Sequence, residues 1–209
     1  MGIFGLFRPQ PPIRNVAELA DFLDQNAAFV VQRGIYEYCR ARAGHYAKVL
    51  MVEPEFLAAV EESRWRAYPL GLAMVTEVAE GILRRETRND RRAALDRLIA
   101  TVLAVFDRYA VPPQLGASAW RLARQELAHR LDLIGTHAPK WAKDVPLPYA
   151  QIYFDNMPIH EKLRAPDYFA IHNYLKVSLI NIHDELSKRM EVPAVARDLL
   201  MGGSLAEQQ

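Results

Sequence analysis

Cysteine is nearly absent from this chain of 209 residues: Cys39 stands alone. One thiol excludes an internal disulfide framework and any thiolate metal cluster within one chain, and it suits a reducing compartment. Net charge is nearly absent too. With 26 Lys and Arg against 25 Asp and Glu, the molecule has no overall field to attract nucleic acid or an anionic membrane, so any such partner needs a local patch. No apolar run approaches the roughly 18 residues that a membrane span requires. The apolar start, MGIFGLF, is broken by Arg8 and has neither the basic flank nor the small-residue cleavage site of a secretory signal. Leu6 stands where a myristoylation motif beginning at Gly2 requires Ser or Thr. A cytoplasmic protein is the expectation. Residues 1–8, through Ile3, Phe4, Leu6 and Phe7, offer a peripheral membrane contact, although packing on their own domain is the simpler reading.

Catalytic signatures are missing as well. None of the serines, Ser63, Ser118, Ser178, Ser187 and Ser204, lies in G-x-S-x-G, and no Walker loop or dinucleotide fingerprint occurs. There is no internal repeat, no low-complexity tract and no run that alternates with period two. An enzyme is therefore not the first expectation, and neither a cofactor nor nucleic acid is implied.

What the chain does have is helical periodicity on a composition that is 51% hydrophobic, enough for one buried core. The expected fold is all-α: one compact bundle of about seven helices over residues 15–201, with an apolar, Pro-rich tail at 1–14 and a polar tail at 202–209. Asn15 and Glu18 have the form of a capping box before Val16, Leu19, Ala20 and Leu23. A second helix is expected from Asn26 towards Leu50, with Cys39 on its apolar side as a small buried hydrophobe. Pro54 suits the first turn of a third, and Pro69 is expected to start another that runs to Arg85. That stretch is apolar around most of its circumference, so it is predicted to be the central helix, with Glu77, Glu80 and Arg84 as an ion-paired rim in preference to a carboxylate site. Further helices are expected over 90–110, 117–135 and 166–190, and from Pro193 to Leu200. Residues 136–166 hold five prolines together with Trp141, Tyr149, Tyr153 and Phe154. They predict an ordered loop that acts either as a lid or as a strap.

Four groups of residues could carry chemistry. On helix 166–190 a stripe of His172, Lys176 and His183 shares the apolar face: at 100° per residue the histidines fall within about 20° of each other, and Lys176 lies about 40° from His172. This stripe, with Tyr153 and His160 from the Pro-rich loop, is the candidate ligand or partner site. Glu126 and His129 form an E-x-x-H, the spacing that presents two ligands to one metal in di-iron bundles. The second copy that such a site needs is missing, so no bound metal is expected. His183-Asp184-Glu185-Leu186 is similar to the phosphoacceptor motif of one class of bacterial sensor histidine kinases, which implies phosphotransfer, yet no Gly-rich ATP-binding region follows. The run Arg84 to Arg92, RRETRNDRR, could bind phosphate, but without interleaved aromatics it reads first as a solvated connection. The functional expectation is a non-enzymatic binding or adaptor protein acting on another protein through an apolar, aromatic surface. The alternative is an enzyme or a carrier of an apolar small molecule, with its site between helix 166–190 and the loop 136–166. An apolar pocket with a few convergent polar groups would favour the alternative, and a flat apolar patch the adaptor.

Overall fold

In the computed structural model, which describes residues 10–202, Asn15 starts the bundle. Its side-chain oxygen accepts from the Glu18 amide at 2.8 Å and satisfies one of the orphan donors of helix α1 (Val16–Ala43). The break expected near Asn26 does not occur. Asn26 turns its amide back onto the Phe22 carbonyl at 2.9 Å, a bond made inside the helix, so the residue neither caps nor interrupts it. Gly44, at a φ of 54°, ends α1 in a conformation that side chains rarely adopt.

Helix α2 (Pro54–Leu83) corrects a second expectation: it runs unbroken for 30 residues through Pro69. An interior proline forfeits one hydrogen bond and crowds the preceding turn, at about 3 kcal/mol. Every residue from Ala67 to Glu80 is buried, however, and Leu70, Leu72, Met74, Val75 and Val78 each contribute about 1.5–3 kcal/mol, which outweighs the proline.

Among the described residues five further helices complete an all-α, single-domain bundle of seven: α3 (Arg91–Phe106), α4 (Gly116–Leu133), α5 (Ala150–Asp155), α6 (Tyr168–Arg189) and α7 (Val192–Met201). Single helical turns at Ala47–Leu50 and Glu161–Arg164 lie in the connections. Helix α2 is central, as its apolar circumference predicts, and packs against α1, α3, α4, α6 and α7. Its approach to α1 is closest at Gly71, where a Cβ would stand 2.9 Å from the Ala27 carbonyl oxygen. Aromatic rings fill one region of the core: Phe106 stacks on Trp120 at 4.1 Å, and Trp65 meets Trp120 edge-on at 5.7 Å. Beside them Tyr68 and Tyr109 both donate to Oδ1 of Asp24, at 2.7 and 2.8 Å, so this mostly buried carboxylate is satisfied.

The chain joins the bundle before its first helix. Buried Ile13 donates to the Arg189 carbonyl at 2.8 Å and accepts from the Glu191 amide at 2.9 Å, which pins the segment before α1 to the α6–α7 junction. The membrane contact expected of residues 1–8 lies outside the described residues. No helix among the described residues is long and apolar enough to cross a membrane.

The Pro-rich segment 136–166 divides in two. Its later part carries α5 and turns Tyr149, Tyr153, Phe154 and Met157 into the core, which is the behaviour of a strap. Its first part, residues 137–142, runs over the end of α2, where the polar chemistry of the molecule collects.

Candidate functional site

Helix α2 ends in the arginine-rich run, and its first arginine is held inside the protein. Arg84, one turn after Glu80, meets that carboxylate with two parallel bonds, Nε to Oε1 and Nη2 to Oε2, both at 2.7 Å. The two side chains are only 10% and 7% exposed. A buried pair needs its remaining donors satisfied, and Arg84 uses them on the next segment: Nη1 donates to the His137 carbonyl at 2.6 Å and Nη2 to that of Ile134 at 3.0 Å. Arg91, in the first turn of α3, donates to the carbonyls of Gly135 and His137 at 2.9 and 3.3 Å. Two guanidiniums thus clamp the turn that follows α4.

Glu77, one turn before Glu80, faces the same segment. Lys140 Nζ stands 2.7 Å from its Oε1 as an ion pair without hydrogen-bond alignment. His137 Nε2 lies 3.7 Å from the same oxygen, while Tyr149 donates to Oε2 at 3.4 Å. Burial holds the Tyr149 phenol well above its ordinary range, and the charge of Glu77 raises it further. Tyr149 therefore remains a neutral donor. The rim expected from Glu77, Glu80 and Arg84 is real, but its pairs are buried and it carries the loop.

Above these pairs opens a cleft of about 1120 Å³. Its walls are the end of α2 (Val78, Gly81, Ile82), the arginine turn, Pro139 to Ala142, and His183 with Ser187 from α6. The positive side chains in the lining are Arg84, Arg85, Arg88, Arg91 and Lys140. Arg84 and Lys140 are matched by Glu80 and Glu77. Arg85, Arg88 and Arg91 have no carboxylate partner among the described residues, which leaves three guanidinium charges facing one space. Trp141 lines the cleft too, yet is 78% exposed, so its ring stands at the solvent edge. This geometry can hold an anion against arginine forks while presenting Ile82, Ala142 and the indole to an apolar or flat body.

The residues singled out from sequence do not assemble into one site. His183 borders the cleft, half exposed, with Nδ1 3.3 Å from Asp184 Oδ1. His172 lies elsewhere on α6, stacked on Tyr168 at 6.0 Å, and its buried Nε2 has no hydrogen-bond partner among the described residues. Lys176 is half-buried on the next turn. Tyr153 sits in the core, where its hydroxyl donates to the Val31 carbonyl at 3.2 Å. His160 is exposed and accepts from the Lys162 amide at 3.3 Å, capping a single turn. Glu126 is exposed and lies 3.8 Å from Arg130, and His129 is exposed on the same helix. No group of three or more metal-ligating side chains occurs among the described residues. His137 and Lys140 went unnoticed in the sequence; the signal open to reading was a Lys-Trp pair directly after a proline in an ordered loop.

Compared with protein-family models, curated proteins and solved structures, the chain matches none.

Proposed function

We propose that the protein binds a small amphiphilic anion in the cleft between α6, the end of α2 and residues 137–142. The observation that carries this reading is the convergence on one concave space of an exposed tryptophan and three arginines that have no carboxylate partner among the described residues. Concavity with an apolar wall and a few polar groups is what a small-molecule site requires. Unpaired guanidiniums repel one another, and a bound anion relieves that repulsion. The experiment is a thermal-shift screen of amphiphilic anions, carboxylates, sulfates and phosphates, on the wild type and on Arg85→Glu/Arg88→Glu. At least one class should raise the wild-type midpoint and leave the variant unmoved. No response from any class, or equal responses in both proteins, rejects the reading.

An adaptor role rests on a different face. A groove of about 770 Å³ between α1 and α2 is lined by Phe29, Tyr36 and Leu57, and Phe29 is 51% exposed. The nearby corner leaves Tyr46 77% exposed, with Val49 and Val52 also open. A protein partner docking there would be lost in Phe29→Ser/Tyr46→Ser while the anion response of the cleft persists.

A further inference from the structure

We infer that the anionic group recognised in this cleft is phosphoryl, carrying at least two negative charges, and that the body of the ligand lies against Trp141. This rests on the amphiphilic-anion reading and specifies its chemistry. Charge matching distinguishes the anions. Arg85, Arg88 and Arg91 present three guanidiniums with no carboxylate within ion-pair distance among the described residues, and the turn that carries them stays positive with Glu86 and Asp90 counted. A carboxylate or sulfate ester brings a single charge and leaves two cations crowded together. A phosphate monoester carries about −1.5 to −2 at neutral pH, and a second phosphoryl group brings the total close to that of the three arginines.

Donor geometry points the same way. Arg91 is already oriented by the carbonyls of Gly135 and His137, so little freedom remains to be lost when it meets a ligand. Arg85 and Arg88 are exposed and make no ion pair among the described residues, so their planar forks can take phosphate oxygens two at a time. In the same lining Ile82, Ala142 and the exposed indole of Trp141 are apolar, which suits a ring or an acyl chain attached to the phosphate. Two sources share this chemistry: a soluble phosphate ester and a phospholipid headgroup.

The test is calorimetric titration of the full chain at low ionic strength with inorganic pyrophosphate, ADP, dodecanoate and vesicles containing phosphatidic acid, repeated on Arg88→Gln and Trp141→Ala. Both substitutions fall on exposed side chains, and circular dichroism melts verify that the variants fold. Pyrophosphate should bind, and Arg88→Gln should weaken it about tenfold to a hundredfold, the loss of one charge-assisted contact. ADP or the vesicles should bind more tightly than pyrophosphate, and only that increment should vanish in Trp141→Ala. Preference for ADP assigns a soluble ester, and preference for the vesicles a lipid headgroup. Binding of dodecanoate but not of pyrophosphate overturns the phosphoryl assignment and leaves the amphiphilic-anion reading standing. Binding of none of the four probes overturns both.

Discussion

Replacing Arg84 with methionine removes the guanidinium that joins α2 to the loop forming the wall of the cleft, and the structure sets the size of the loss. The Glu80 carboxylate, 7% exposed, is left without its cation, and the Ile134 carbonyl loses its arginine donor. The His137 carbonyl keeps only the longer bond from Arg91. Breaking a buried pair by removing one partner costs about 3–5 kcal/mol. For a domain of this length that lowers the thermal midpoint by roughly 6–20 °C. The double variant Glu80→Leu/Arg84→Met removes the stranded charge as well and leaves chiefly the Ile134 carbonyl unsatisfied, at about 1–3 kcal/mol. The double variant should therefore be more stable than the single one, by an amount that urea denaturation monitored at the helical circular dichroism band resolves. A single variant that loses less than about 1 kcal/mol, or a double variant as unstable as the single, would refute the claim that this buried pair holds the loop in place.

Three further expectations follow from packing and burial. Gly71→Ala forces a methyl group to 2.9 Å from both the Ala27 carbonyl oxygen and Val31 Cγ2, and should cost about 1–3 kcal/mol by denaturant titration; an unchanged midpoint would show that α1 and α2 can separate freely. Burial pushes the Cys39 thiol from an ordinary 9.0 up to about 12, so above the lower value the unfolded chain releases a proton that the folded chain retains. Stability should fall as pH rises from about 9 to 12, with the buried phenols of Tyr68 and Tyr153 adding to the loss in the same direction; a urea midpoint equal at about pH 8 and about pH 10.5 would contradict this. His172→Leu removes a buried ring nitrogen that has no hydrogen-bond partner among the described residues and should match or exceed wild-type stability, whereas a marked drop in midpoint would show that the imidazole is bonded.

The elements that were legible in the sequence are those whose signal is local. On α3, Leu95, Leu98, Val102 and Phe106 recur at helical spacing and all are buried; on α6, Leu175, Leu179, Ile182 and Leu186 do the same. Phe169 and Ile180, which widen the apolar face of α6 in the sequence, are exposed, because only one side of that helix is covered. The start expected at Pro69 fails because local sterics give way to tertiary packing, and the one expected at Asn26 fails because its side chain bonds the Phe22 carbonyl inside a continuous helix. The cleft could not be seen along the chain at all. Its members come from residues 78–91, 139–142 and 183–187, brought together by two clamps whose acceptors are backbone carbonyls, groups common to every residue type. The arginine run looked like a solvated connection because it contains no aromatic residue. The fold supplies one, Trp141, from some fifty positions away. The runner-up location, between the last long helix and the Pro-rich segment, does contain a cleft, but the histidine stripe contributes only His183 to it.

The central claim, that Arg85, Arg88 and Arg91 give a positive field to a cleft in which Trp141 stands exposed, is tested most directly by comparing how iodide and caesium quench tryptophan fluorescence. The signal of Trp141 is isolated as the difference between the wild type and Trp141→Phe, and both quenchers are calibrated on free N-acetyltryptophanamide. A positive field concentrates iodide and repels caesium, so at low ionic strength iodide should be favoured on the order of threefold or more over its calibrated ratio. Added salt and Arg85→Glu/Arg88→Glu should both erase that preference. Equal calibrated quenching by the two ions, or stronger quenching by caesium, would mean that the cleft carries no net positive field and that the account of it as an anion site is wrong.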